Sequence, residues 1–289
     1  MVAAMSSEPI KTVAVLGAGT MGNGVAHVFA RAGYDVILRD VEQRFLDRGL
    51  ETIAKNLDRE VKKQKITAAD KSATLAHLRP TTDMAALAAA DFAVEAVPEQ
   101  LELKTRVLKD ADAILRPGVI LASNTSSISI SKLAEETSRP EKFIGMHFFN
   151  PVPMMALVEV IRGRATSDDT FQTTMSLCEK LGKKPVGVND APGFVSNRVL
   201  MPMINEAAFA VMEGVATPEA VDAVMKLGMN HPMGPLELAD LIGLDVCVDI
   251  MEVLHRGFGN DKYAACPLLR QHVAAGRLGR KSGQGFYKY

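Results

Sequence analysis

Among the six histidines of this 289-residue chain, His147 stands apart. It falls inside an apolar, strand-like run, Ile144-Gly145-Met146-His147-Phe148-Phe149, that ends in Asn150-Pro151. An imidazole titrates near neutral pH, so it suits proton exchange with a hydroxyl whose carbon gains or loses a hydride. Buried in such a run it needs a polar partner. Glu159 lies in a second run, Leu157-Val158-Glu159-Val160-Ile161, after a turn at Pro151-Val152-Pro153. If the two runs pair, the carboxylate faces His147, fixes its tautomer and raises its basicity. A structural His-Glu pair with no catalytic role would leave the same pattern. His27, His77, His255 and His272 sit in helical patterns where packing or surface roles suffice, and His231 lies in a Pro-Gly loop where a role stays open.

Two further segments carry polar groups suited to the same chemistry. Ser123-Asn124-Thr125-Ser126-Ser127 directly follows a strand pattern. Open parallel sheets bind ligands at the carboxyl ends of their strands, so this stretch, with Asn124 and Ser126 in it, can reach cofactor and substrate. Helix capping explains Ser126 or Ser127 equally well. Asn197, in Gly193-Phe194-Val195-Ser196-Asn197-Arg198, opens a helical pattern, and its amide can polarise a substrate carbonyl.

The cofactor is read from Gly17-Ala18-Gly19-Thr20-Met21-Gly22, which follows the apolar run 13–16 and opens a helix through Val25, Val28 and Phe29. Gly17 permits the tight turn, Gly19 the approach of a pyrophosphate, and Gly22 close helix-strand packing; Thr20 and Met21 begin the helix whose free N–H groups face the phosphates. Such spacing alone is weak, and a glycine turn without a ligand is the plain alternative. Asp40 strengthens it, because it ends the second strand pattern where a carboxylate can accept from an adenosine ribose. A 2′-phosphate would meet Asp40 as a like charge, so NAD is favoured over NADP. The adjacent Arg39 keeps NADP in play.

The elements that hold these residues follow from hydrophobic spacing. Runs at 12–16, 35–38, 92–96, 119–122 and 143–148 read as strands, with helical patterns between them. That alternation predicts an α/β, Rossmann-type doubly wound and mainly parallel sheet, covered on both faces. After Asp190 the pattern becomes helical at 195–212, 218–227, 236–253 and 268–275. The chain is therefore expected to divide into a dinucleotide-binding domain, 1–190, and an all-helical carboxyl-terminal domain, 191–289. The stretch 41–66 is too long for a minimal crossover helix and ends in Arg59, Lys62, Lys63 and Lys65, either a solvated helix face or an anion-contacting arm.

Composition narrows the partners. With 47% hydrophobic and 23% charged residues and a formal charge of -1, the chain has ample core and no general attraction for nucleic acid or an anionic membrane. Neither partner is expected. Three widely spaced cysteines fit a reducing compartment without a structural metal. Residues 1–9 read as a loose tail with no targeting pattern, and no uncharged stretch is long enough to span a bilayer. A cytoplasmic location is expected.

Taken together, the residues resemble those of the L-3-hydroxyacyl-CoA dehydrogenase family, most closely its short bacterial 3-hydroxybutyryl-CoA branch. The resemblance spans nearly the whole chain. It rests on Gly17 to Gly22 with Asp40, Val94-Glu95-Ala96-Val97-Pro98-Glu99, Ser123 to Ser127, His147-Phe148-Phe149-Asn150-Pro151, Gly193 to Arg198, and Gly283-Gln284-Gly285-Phe286-Tyr287. It implies His147 as base with Glu159 as its partner, Ser126 and Asn197 on the reacting oxygen, and Glu99, Lys104, Ser126, Asn150 and Lys281 around NAD. It also implies an acyl-CoA thioester substrate, Lys63 near the CoA on an extended helical hairpin, and a homodimer formed through the helical domain. The chain departs from the pattern at Gln64, where bacterial relatives often carry glycine. A dehydrogenase of a free sugar acid, of the related gulonate type, and a non-catalytic NAD-binding protein are the rival readings.

Overall fold

The computed structural model describes residues 9–289, so the tail expected over 1–9 lies, except for Pro9, outside the described residues. The chain divides after Asp190 into two compact units. In chain order the first contains β1 (Thr12–Leu16), α1 (Thr20–Arg31), β2 (Asp35–Arg39), α2 (Gln43–Lys62), α3 (Ala68–Ala76), β3 (Leu78–Thr81), β4 (Phe92–Glu95), α4 (Leu101–Ile114), β5 (Ile120–Ser123), α5 (Ile130–Glu135), β6 (Phe143–Phe148), β7 (Leu157–Arg162), α6 (Asp168–Lys180) and β8 (Lys184–Asn189). The second contains α7 (Ser196–Met212), α8 (Pro218–Gly228), α9 (Pro235–Ile242), α10 (Leu244–Phe258) and α11 (Pro267–Ala274). No helix among the described residues is long and apolar enough to cross a membrane.

The strands form one sheet in the order β3-β2-β1-β4-β5-β6-β7-β8. Every neighbouring pair is parallel except β6 and β7, which run antiparallel. Strands β1, β4 and β5 are apolar along nearly their whole length because helices cover both faces of the sheet. Both strands without a forecast in the sequence, β3 and β8, are the sheet's edges. Their residues are mostly half-buried or exposed, and Pro80 is tolerated in β3 because only β2 pairs with it.

The stretch 41–66 becomes a single long helix, α2, that lies on the first unit rather than on solvent alone. Leu46, Gly49, Ile53 and Leu57 make a buried stripe at helical spacing, and burying each large side chain contributes roughly 1.5–3 kcal/mol. Gly49 sets the approach, since a Cβ there would stand 3.0 Å from the Ala18 carbonyl oxygen. The basic residues Arg59, Lys62, Lys63 and Lys65 remain exposed at its end. There the Gln64 N–H donates to Val61 and the Lys65 N–H to Glu60, with Gln64 at φ 55°. This is a helix stop that glycine fits without strain, occupied here by a side-chain-bearing residue.

In the second unit, Met201, Ile204, Leu236, Leu244, Met251 and Leu254 form the core. The helical pattern over 236–253 is in fact two helices, because Gly243, at φ 106°, turns the chain between α9 and α10. Two buried carboxylates, with no ion-pair partner among the described residues, organise this unit. Asp222 accepts from the Leu236 and Glu237 amides at the start of α9 and from the Tyr287 hydroxyl. Asp240 accepts from the Phe286 and Tyr287 amides and the Tyr289 hydroxyl. Gly285 belongs to the carboxyl-terminal motif because any Cβ there would fall 1.9 Å from an Asp240 oxygen.

Candidate active site

The glycine turn joins β1 to α1 by close backbone approaches. Gly17 has φ 103°, and a Cβ on it would lie 2.7 Å from the Ala96 carbonyl oxygen; one on Gly22 would lie 1.8 Å from the Gly17 oxygen. Gly19 differs, since its Cβ direction meets nothing within 4 Å. Helix α1 has no acidic residue in its first turn and no side chain capping its N-terminus. Thr20 is exposed and Met21 half-buried there. Open space, unclaimed amides and the positive end of a helix dipole suit a pyrophosphate. Asp40 is held beside them, accepting from the Ala18 amide at 2.7 Å and the Val41 amide at 2.7 Å. These residues fit a dinucleotide.

At the carboxyl ends of β4 and β5 the polar residues form one network, buried at Glu95, Lys104 and Ser123 and open to the surface at Glu99. Glu95, fully buried, accepts from the Lys104 ammonium at 2.8 Å, the Val97 amide at 2.7 Å and the Ser123 hydroxyl at 2.6 Å. Lys104 also donates to the Val97 carbonyl and lies 3.3 Å from Glu99. Two hydrogen bonds and one ion pair thus hold its ammonium beneath the surface. Glu99 accepts in turn from the Thr125 hydroxyl, the Ser126 and Ser127 amides and the Ser127 hydroxyl. Burial raises the Glu99 carboxyl, but the Lys104 charge and these hydrogen bonds outweigh it and hold it below the ordinary range. Asn124 links this loop to the next strand by accepting from the Phe148 amide at 2.8 Å. Ser126 is half-buried on the same loop.

His147 and Glu159 are direct cross-strand partners in the β6-β7 register. Nδ1 of the imidazole stands 2.8 Å from Oε2 of the carboxylate, with His147 7% and Glu159 3% exposed. A hydrogen bond there requires the proton on Nδ1 while Glu159 is ionised, which fixes the tautomer of the ring. The pairing that the two apolar runs suggested is therefore present, and the intervening loop brings Asn150, joined to Pro151 by a cis bond, to the surface.

A cavity of about 380 Å³ opens in this unit between Gly19 and Thr20, the α2 face with Arg48, Thr52 and Asn56, and the loop from Asn150 to Pro153. A more open hollow of about 480 Å³ follows the outer face of α4, around Leu101, Thr105 and Arg106, and contains none of these groups. Lys63 is exposed beyond the end of α2. In the second unit, Asn197 is buried in the first turn of α7, and Lys281 pairs with Asp245 at 2.6 Å.

Two features of the first unit escaped sequence reasoning. One is Glu95, visible in the sequence only as part of a motif, whose carboxylate is buried and accepts from the Ser123 hydroxyl. The other is Lys183, a buried lysine whose ammonium donates to the Val152 and Met155 carbonyls. A charged residue ending an apolar strand signals the first; nothing local signals the second.

The sequence matches the 3-hydroxyacyl-CoA dehydrogenase NAD binding domain over residues 12–191 and the 3-hydroxyacyl-CoA dehydrogenase C-terminal domain over 193–289. A Deinococcus radiodurans protein named "Probable 3-hydroxybutyryl-CoA dehydrogenase" is 58% identical over 275 residues, covering 95% of this chain and 99% of that protein. The 3-hydroxybutyryl-CoA dehydrogenase of Bradyrhizobium diazoefficiens is 52% identical, covering 97% and 96%. Among solved structures, the (S)-3-hydroxybutyryl-CoA dehydrogenase of Ralstonia eutropha superposes with a TM-score of 0.96 at 52% identity, covering 97% of this chain and 99% of that one.

Proposed function

This chain belongs to the 3-hydroxyacyl-CoA dehydrogenase family, and from that premise we propose that it interconverts (S)-3-hydroxybutyryl-CoA and acetoacetyl-CoA, with His147 as the acid-base group. The observation that carries the reading is the buried His147-Glu159 pair, built on the same sheet as a dinucleotide-binding turn. NAD, when bound, would accept the hydride that leaves C3 of the hydroxyacyl group. In oxidation, Nε2 of His147 takes the hydroxyl proton, and Glu159 offsets the charge of the resulting imidazolium. In reduction the imidazolium returns that proton. The Asp40 carboxylate, already oriented by two amides, accepts from a ribose hydroxyl and favours NAD over NADP.

The remaining assignments belong to the same proposal. Ser126 and Asn197 bind the reacting oxygen. Glu99, Asn124, Asn150 and Lys281 serve the cofactor, and Lys104, enclosed by Glu95 and Glu99, acts on it through Glu99. The cations of α2 and its end, among them Arg48 and Lys63, suit the phosphates of CoA. A homodimer through the helical unit is supported by its exposed apolar side chains, including Val199, Val215, Val224 and Leu227. A reducing, cytoplasmic setting is supported by three free, buried cysteines, two of them with thiols pushed up to about 12 by burial.

The test is a steady-state assay of acetoacetyl-CoA, longer 3-ketoacyl-CoAs and free acetoacetate, each with NADH and NADPH. Rapid NADH oxidation with acetoacetyl-CoA and none with free acetoacetate is expected. Preference for the free acid would overturn the substrate assignment in favour of a hydroxy-acid dehydrogenase.

A further inference from the structure

We propose that Lys183 is a positioning residue whose buried ammonium holds the loop between the two catalytic strands, and with it one wall of the 380 Å³ cavity. Lys183 is 8% exposed, and its Nζ donates to the carbonyl oxygens of Val152 at 2.6 Å and Met155 at 2.8 Å. No carboxylate of the described residues lies within ion-pairing distance of it, and burial alone lowers its pKa. A buried ammonium without an anion is costly, and an apolar side chain of the same length would fill the space at less cost. What only the ammonium supplies is donors.

The loop requires them. It spans residues 149–156, between His147 at the end of β6 and Glu159 near the start of β7. Pro151 and Pro153 have no N–H, so the loop has few donors of its own; its turn uses the Met154 and Met155 amides, both on the Pro151 carbonyl. The carbonyls of Val152 and Met155 instead turn inward to Lys183. Lys183 is itself rooted where α6 stops: its amide donates to the Cys178 carbonyl, and the next residue, Lys184, donates to Ala156 as β8 joins β7. A fixed base therefore meets a loop that cannot fix itself.

The other side of the loop rests on the cofactor helix. Val152 is buried against Gly24 of α1, where a Cβ would stand 2.8 Å from the valine Cβ. Lys183 thus seats Asn150, Pro151, Val152 and Pro153, the four loop residues that line the cavity, against the helix that begins at the glycine turn. Nearby on α1, His27 has its pKa pushed down to about 4, chiefly by burial, partly offset by Glu60, with Arg31 and Lys183 adding to the shift. It is neutral near pH 7 and adds no second buried cation.

The functional consequence rests on the NAD-dependent reading above: the clamped loop carries Asn150, assigned to the cofactor, and walls the cavity beside Gly19 and Thr20, so the clamp governs dinucleotide binding. K183M and K183R in the full chain test it. In K183M, amide hydrogen exchange across 150–156 should rise by about tenfold or more, and KM for NADH by roughly tenfold, while kcat at saturating NADH and acetoacetyl-CoA stays within about threefold. Tenfold is about 1.4 kcal/mol, near the worth of one hydrogen bond to a charged group. K183R, which keeps charge and donors, should recover part of both effects. Unchanged exchange in the loop, or an unchanged KM for NADH, would overturn the proposal. If K183M does not accumulate folded, K183Q is judged by the same criteria. Should the unmutated protein fail to reduce acetoacetyl-CoA, the substrate reading falls, and the exchange measurement still decides the role of Lys183.

Discussion

Replacing Glu159 with glutamine removes one charge from the proposed catalytic pair while keeping its shape. The amide oxygen of glutamine can still accept from Nδ1 of His147 across the 2.8 Å now spanned by the carboxylate. What disappears is the anion that faces imidazolium. With charge centres about 4 Å apart and an effective dielectric constant near 20, that attraction is about 4 kcal/mol. Both side chains are under one-tenth exposed, so little water can replace the lost charge. Partial relaxation of neighbouring dipoles reduces the loss, and a fall of about 100- to 1000-fold in hydride transfer is expected. Single-turnover reduction of acetoacetyl-CoA, followed by NADH absorbance, reads that step, with NADH affinity by fluorescence as a control expected to change less than about twofold. H147Q should be at least as slow, and the double variant no slower than H147Q, because the two groups act as a unit. E159Q retaining more than about a tenth of the parental rate would refute the assigned role.

Three other expectations follow from individual contacts. His27 has a folded pKa of about 4, below its usual 6.5; its stabilising effect is therefore complete above 6.5 and lost as pH falls towards 4. About 2 kcal/mol disappears by pH 5 and about 3 kcal/mol in full, so urea unfolding at pH 7 and 5 should show a smaller acid loss in H27L than in the parent. Gln64 holds a left-handed backbone at the end of α2, and Q64G should raise stability by about 0.5–1 kcal/mol, seen as a higher Tm; a lower Tm would contradict the strain. D40S removes the carboxylate beside the Ala18 amide and should raise the NADPH-to-NADH ratio of kcat/KM by roughly tenfold or more. An unchanged ratio would assign cofactor choice elsewhere, with Arg39 the first residue to test.

The legible part of the fold is the part whose constraint is local. A central parallel strand buried on both faces must be apolar throughout, so β1, β4 and β5 announce themselves. Edge strands carry no such requirement: Lys184–Asn189 and Leu78–Thr81 are largely open to solvent, and neither reads as a strand. The division of 236–253 was hidden for another reason. Apolar spacing continues through Gly243, and only its positive φ, with Lys281 and Asp245 crowding it, ends one helix and starts the next.

The sequence by itself determined the glycine turn with Asp40 and singled out His147 with Glu159, because close backbone approach demands glycine and a polar residue inside an apolar run demands a partner. The tertiary structure alone decided who those partners are at long range. Lys104 stands between Glu95 and Glu99 because β4 and α4 fold back on each other, and Lys183 reaches the carbonyls of Val152 and Met155 only once β8 lies beside β7. A buried charge chooses its partner by distance in space, and that distance exists only after the chain has folded.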